Sequence, residues 1–133
     1  MSRRIIIIDL NMFLNCIELG VNLFQELDRV LDVDYTPYVL DRIFSELKVV
    51  SERSPKLKKL TEVARKLIEK CEIIETHDEK KPTDELIIEY AQKLNAIVAT
   101  NDKYLRKRLR QYGIPTIYIR GMSHLEIELK SLI

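Results

Sequence analysis

Asp9, Glu46, Asp84 and Asp102 are the residues of this chain whose type and placement combine into chemistry. Each is a carboxylate that breaks an otherwise regular separation of apolar from polar positions. Asp9 directly follows the run Ile5 to Ile8, at the carboxyl end of a strand, the edge where open α/β sheets bind ligands. Glu46 falls on the line Val39, Ile43, Glu46, Val50 of a helix expected over 38–51, while Asp41, Ser45, Lys48 and Glu52 form a wholly polar line. Asp84 leads Ile87, Ile88 and Ala91, with Glu85 and Glu89 projecting outward. Asp102 precedes Leu105 and Leu109 at i+3 and i+7, whereas Lys103, Arg106, Lys107 and Arg110 are expected to point away. Acids near helix N-termini are common because each gains ~0.3–1 kcal/mol there, which accounts for Asp9, Asp84 and Asp102 as caps but not for a mid-helix Glu46. Carboxylates converging on one sheet edge raise one another's pKa unless a cation neutralises them, and oxygen-only ligands select Mg²⁺ or Mn²⁺.

The elements that must position these acids follow from hydrophobic period. The all-apolar, β-branched run Ile5 to Ile8 predicts a strand covered on both faces, and Cys71 to Ile74, Ala96 to Ala99 and Thr116 to Ile119 predict further strands. Helical periodicity covers 38–51, 57–70, 83–94 and 101–112, each segment with apolar residues at i, i+3, i+4 and i+7. Pro55, Pro82 and Pro115 stand at element starts, and Gly113 follows a helical pattern as a C-terminal cap. Residues 10–31 read as helical with a break at Gly20, 32–37 as a short strand or a connection, and 123–133 as a last edge strand or a helix. Strands alternating with helices predict an α/β fold with a mainly parallel sheet.

Composition narrows the chemistry further. The 133 residues hold 22 Lys or Arg against 21 Asp or Glu, with only three Gly, two Cys and two His. This removes glycine-rich phosphate cradles, four-ligand zinc sites and most histidine-centred catalysis; His77 and His124 lack metal-ligand spacing and are expected at the surface. An apolar fraction of 46% suits one core, and no linker or repeat appears, so 1–133 is expected to form a single domain. Isolated Cys16 and Cys71 fit a reducing compartment. Arg3-Arg4 before Ile5 to Ile8 superficially mimics a signal peptide, but Asp9 ends the apolar run well short of the ~7–15 residues a signal core needs, and no stretch is apolar enough to span a membrane. The expectation is a cytoplasmic protein.

The segments Ile-Ile-Ile-Ile-Asp9-Leu-Asn11, Ser-Glu46-Leu, Thr-Asp84-Glu-Leu-Ile-Ile and Ala-Thr100-Asn101-Asp102-Lys-Tyr-Leu-Arg resemble those of PIN domains. The likeness covers almost the whole chain and is most specific from Ile97 to Gly121; it is closer to archaeal PIN proteins akin to ribosome-processing nucleases than to VapC-type toxins. It implies a three-layer α/β/α sandwich, and a divalent-metal-dependent ribonuclease, of rRNA processing or RNA quality control, using Mg²⁺ or Mn²⁺ and leaving 5′-phosphate and 3′-hydroxyl ends. The family's four acidic positions fall on Asp9, Glu46, Asp84 and Asp102, with Asn11, Thr100 and Asn101 as polar helpers. A homodimer is implied by analogy, and an antitoxin partner only for the toxin branch. Two departures stand out: Leu10 replaces the usual Thr or Ser, and the Pro37 to Glu46 interval is long, which makes Asp41 the alternative to Glu46.

Lys103, Arg106, Lys107, Arg108, Arg110 and Arg120 form a basic stretch without acids, interleaved with Tyr104, Tyr112 and Tyr118. Such a run is usually a solvated helix face; beginning beside Asp102, it also suits sequence-independent phosphate contacts, through Lys103, Arg106, Lys107 and Arg110. A second cluster, Lys56, Lys58, Lys59, Arg65 and Lys66, would extend it. A haloacid-type phosphatase wants an Asp where Asn11 stands, and a receiver domain wants an acidic pair and a mid-strand Asp that are missing. The rival reading is a PIN-like RNA-binding or assembly module without turnover.

Overall fold

In a computed structural model, residues 3–77 and 80–133 are described. The elements run β1 (Arg4–Ile8), α1 (Leu10–Leu19), α2 (Leu23–Val30), β2 (Tyr35–Leu40), α3 (Ile43–Ser51), α4 (Pro55–Ile68), β3 (Glu72–Ile74), α5 (Thr83–Leu94), β4 (Ile97–Ala99), α6 (Lys103–Gln111), β5 (Thr116–Arg120) and β6 (His124–Glu128). The strands form one sheet in the order β3-β2-β1-β4-β5-β6, parallel except for β6, which pairs antiparallel with β5. The expected mainly parallel sheet and three-layer α/β/α arrangement are both present.

Period two along β1 explains the isoleucine run. Ile6 and Ile8 pack into the layer built by α1 to α4, with Phe13, Leu27, Leu47 and Ala64. Ile7 points the other way, into the layer of Leu86, Ile87, Leu105 and Leu109 from α5 and α6. A strand buried on both faces has no use for a polar alternate. From β1 the chain moves outward to β2 and β3, then returns across the sheet to β4 on the other side of β1. The carboxyl ends of β1 and β4 therefore flank the point where strand order reverses, the crevice in which open α/β sheets bind ligands.

The structure corrects the helix expected over 38–51. Tyr35–Leu40 is a strand, paired with β1 from Arg4↔Tyr35 to Ile7↔Tyr38 and with β3 from Tyr38↔Glu72 to Leu40↔Ile74. Aromatic and β-branched residues fit a buried pleated surface, and this tertiary pairing overrides the apparent helical period. Pro37 is accommodated because the β3 ladder starts only after it, which leaves one side of β2 without a donor requirement there. The helix begins instead at Ile43, and its inward face is Ile43 and Leu47. Val39 belongs to the strand core, not to Glu46's helix.

The ends of the elements follow local rules. Gly20 closes α1 at φ 71°, Asn22 caps α2 by accepting from the Gln25 N–H, and Ser54 caps α4 with Pro55 at its first position. The tail, left open between strand and helix by its sequence, is β6 followed by a short 3-10 turn at Lys130–Leu132. The Arg4 guanidinium ties this end down by donating to the Ile133, Leu132 and Asn95 carbonyls. Cys16 and Cys71 are free. Among the described residues no helix is long and apolar enough to cross a membrane.

Candidate active site

The acids meet because of how a parallel sheet delivers its helices. The carboxyl ends of β1, β2, β3 and β4 each lead to a helix N-terminus, so one edge of the sheet collects those N-termini. Asp9 is the N-cap of α1 and Asp102 the N-cap of α6, while Glu46 and Asp84 lie in the first turns of α3 and α5. Asp9 and Asp102 thus stand on either side of the β1/β4 crevice. The cap explanation for Asp9 and Asp102 is correct as geometry, and Glu46, expected mid-helix, belongs to the same class.

Thr100, fully buried at the end of β4, links the two caps. Its hydroxyl donates to Asp9 Oδ2 at 3.0 Å and accepts from the Asp102 N–H at 3.2 Å. The other Asp9 oxygen accepts from the Leu10 N–H at 2.8 Å. Asn11 Nδ2 donates to Asp9 Oδ2 at 3.2 Å, and Asn11 Oδ1 accepts from the Asn101 N–H at 3.1 Å. Asn101 Oδ1 in turn accepts from the Ile119 N–H at 2.8 Å, fixing the β4–α6 connection to β5. All three expected helpers are in contact with the site or its frame. Thr100→Val leaves the Asp102 N–H and one Asp9 oxygen short of a buried partner, which costs about 1–3 kcal/mol; urea denaturation is expected to register that loss, with Thr100→Ser close to wild type.

The electrostatics are those of crowded carboxylates. Burial pushes the Asp9 carboxyl up to about 6; the Thr100 hydroxyl and the Leu10 N–H oppose the rise, and the charges of Glu46 and Asp84 add to it. Glu46 is raised by burial and by Asp84, against a hydrogen bond from the Thr83 hydroxyl at 2.9 Å and the charge of Arg42. Asp84 is raised by burial and by Asp102, against Arg108. The positive helix ends favour the ionised forms, but desolvation prevails.

Thr83 and Arg42, which lie on no line of inward acids in the sequence, belong to this site. Arg42 donates to the Lys81 carbonyl at 2.6 Å and reaches Thr83 Oγ1 at 3.5 Å, bracing the start of α5 against α3. Thr83, one residue before Asp84, carried the only available signal, a hydroxyl at a helix start. Asp41, the alternative to Glu46, is committed elsewhere: it accepts from the Thr76 N–H at 3.0 Å and from the Thr76 hydroxyl at 2.7 Å. Burial would raise its pKa, yet the Thr76 and Arg42 bonds and the Arg42 charge hold it below the ordinary range.

The basic helix needs a correction. Arg106 does not point away: it is half-buried, paired with Glu128 and stacked 3.6 Å from the Tyr118 ring centre. Arg110 also pairs with Glu128, at 3.1 Å, and Arg108 with Glu85 at 2.7 Å. The acids that claim these arginines lie far off in sequence, on β6 and α5. Lys103 and Lys107 are exposed and make no ion pair among the described residues.

The donor set suits a hard divalent cation in chemistry: oxygen ligands, burial, and mutual repulsion that Arg42 and Arg108 relieve only in part. The carboxylates are spread rather than closed, since among the described residues no three His, Cys, Asp or Glu side chains gather tightly enough to hold one ion. Magnesium commonly keeps several waters and takes only one or two carboxylates directly, so a spread set fits it.

Residues 6–122 match the PIN like domain family. Among curated proteins, Ribonuclease VapC4 of Methanocaldococcus jannaschii is 29% identical over 126 residues, covering 92% of this chain and 95% of the relative. Ribonuclease VapC9 of Archaeoglobus fulgidus is 39% identical over 66 residues, half of this chain but only 47% of the relative, so the chain matches about half the length of that protein. Among solved structures, the PIN domain endonuclease Utp24 superposes with a TM-score of 0.76 at 25% identity, over 93% of this chain and 90% of that one. A domain of a functionally unknown Methanocaldococcus jannaschii protein has the same fold, with a TM-score of 0.63 at 17% identity over 89% and 92% of the two chains. With its sheet order, its converging acids and this match over most of its length, the chain belongs to the PIN like domain family.

Proposed function

We propose that this protein is a divalent-metal-dependent ribonuclease that hydrolyses phosphodiester bonds of RNA. The observation that carries this reading is the convergence of Asp9, Glu46, Asp84 and Asp102 on helix N-termini around the β1/β4 crevice. The names of the relatives, two ribonucleases and an endonuclease, support it.

Asp9 and Asp102 are the direct ligands of Mg²⁺ or Mn²⁺ in this proposal, and Glu46 and Asp84 bind through water or orient the attacking water. The bound ion would supply charge neutralisation and water activation for in-line displacement at phosphorus. Thr100 holds Asp9 and the start of α6 in fixed relation, while Asn11 carries that order across to Asn101. Thr83 fixes the Glu46 carboxylate. Hydrolysis breaks one P–O bond and leaves a 5′-phosphate and a 3′-hydroxyl. Incubating mixed RNA with the protein and Mn²⁺ or Mg²⁺, beside an Asp9→Asn control and an EDTA control, tests the proposal; cleavage that survives in either control overturns it.

Phosphate contacts fall to Lys103 and Lys107, cations of α6 that make no ion pair among the described residues. Replacing both with Ala is expected to weaken single-stranded RNA binding for every sequence alike. The slope of log affinity against log salt should flatten by about 1.4, at roughly 0.7 for each phosphate no longer neutralised. Anisotropy titrations across a salt series measure this, and the thermal midpoint should not move. The cytoplasmic location, a homodimer, and an antitoxin partner for a VapC-type role are further parts of the proposal, as is ribosomal RNA processing; mapping cellular cleavage sites separates the last two.

A further inference from the structure

A hollow of about 370 Å³ opens between the second half of α1 and the turn that joins β5 to β6, and it reaches the site through Asn101, the neighbour of Asp102 in the chain and a hydrogen-bond partner of Asn11. Leu19, Ile119 and Met122 line it together with Asn15, Asn101 and Glu18. Asn101 is already occupied in holding Ile119. The Asn15 amide has no hydrogen-bond partner among the described residues, so it offers one donor and one acceptor edge to whatever enters.

Met122 is 73% exposed and sits at φ 56°, after Gly121 at φ 62°. The Ser123 N–H closes the turn on the Arg120 carbonyl at 3.3 Å. Both central residues of such a hairpin turn need positive φ, which suits Gly or Asn and is uncommon for a long side chain. The protein thus holds a thioether in the open, over the hollow, in a backbone conformation that disfavours it, and this kind of strain clusters at binding sites.

We propose that this hollow receives one unpaired nucleobase of the RNA strand, next to the phosphodiester that lies at the acids; the inference rests on the ribonuclease reading. Apolar walls and a polarisable sulfur match the base face, and a free carboxamide matches a base edge, the way single-stranded RNA is usually read. Glu18 turns phosphate away from the rim, so the backbone runs along the crevice and the base points in. Asn11, in contact with Asp9, and Asn15 are one helical turn apart on α1, about 6 Å at 1.5 Å per residue, a step that a single nucleotide spans. Asn15 and Met122 then determine which base precedes or follows the cut.

The test separates base selection from chemistry. Short fluorescein-labelled oligo(A), oligo(C), oligo(G) and oligo(U) are titrated against the Asp9→Asn protein, and wild type is assayed in parallel for cleavage with Mn²⁺. One homopolymer should bind at least about fivefold tighter than the weakest, the lower end of what a good amide-to-base contact discriminates. Adding Asn15→Leu should bring that ratio to near one. Met122→Gly should weaken the preferred homopolymer without lowering the thermal midpoint, since glycine tolerates the turn. Equal binding of all homopolymers, or a ratio unchanged in both variants, overturns the base pocket even if wild type cleaves. A ratio lost with Asn15→Leu while wild type fails to cleave upholds the pocket and overturns the nuclease.

Discussion

Asp9→Asn is expected to abolish RNA cleavage, by about 100-fold or more, while leaving the protein as stable as wild type or more so in the absence of divalent cations at pH 7.5. The activity loss follows from removing one of the direct ligands proposed, and catalytic effects of single electrostatic partners commonly reach 10²–10³-fold. The stability result follows from the surroundings of Asp9. Its carboxylate is desolvated and faces Glu46 and Asp84, so its charge opposes folding at neutral pH. Asparagine is as good an N-cap as aspartate and can still accept from the Leu10 N–H through its carbonyl; its amide gives up the oxygen that takes the Asn11 and Thr100 bonds, a loss of about 1–3 kcal/mol set against the buried charge that is removed. Trading away a functional group that strains the fold is a familiar route to stability. Single-turnover cleavage of a defined RNA and a thermal melt of both proteins measure the two halves. A variant that lost activity only by unfolding would melt well below wild type, and that result would remove the argument for Asp9 as a ligand.

The second large effect is an inverted response of the metal-free protein to pH. Asp9 titrates near 6 when folded, above its ordinary 3.8, so between those values the folded protein holds a proton that the unfolded chain has released. Stability from this group is fully present below about 3.8 and is lost as pH rises through 6. At 1.36 kcal/mol per pH unit the ceiling is about 3 kcal/mol for Asp9; Glu46 and Asp84 are shifted in the same direction. Metal-free protein should therefore become more stable on acidification from pH 7.5 to about 5. Glu126 and Glu128, whose pKa values lie below the ordinary range through hydrogen bonds from Arg120 and from Arg110 and Arg106, reverse the trend only at lower pH. Mn²⁺ should raise the thermal midpoint at pH 7.5 more than at pH 5.5, because protons and metal compete for the same oxygens. Melts across pH with EDTA and with Mn²⁺ measure this, and a metal-free protein that weakens steadily from pH 7.5 to 5 contradicts it.

The positions of Asp9, Asp84 and Asp102 at helix starts are legible in the sequence, because the apolar run before each and the helical period after it are local signals. The strands β1, β3, β4 and β5 were legible for the same reason. β2 was not: Tyr38, Val39 and Leu40 continue into a helical pattern at Ile43, and only pairing with β1 and β3 separates the two. Glu46 falls on a line that includes Val39, a strand residue, so its place in the first turn of α3 is not what that line predicts. The fate of Arg106 was hidden because Glu128 lies 22 positions away on an antiparallel strand. The same holds for Thr83, whose role depends on contact with α3. What periodicity cannot carry is contact between elements, and the polar frame of this site consists of such contacts.

The arrangement of one acid at the first turn after each of β1, β2, β3 and β4 has a consequence for how such a protein can change. Strand ends and helix starts are held by the two cores, so each acid is placed by its own strand and helix. Strand pairing keeps the four acids in register, so a change in one connection moves one acid and leaves the other three.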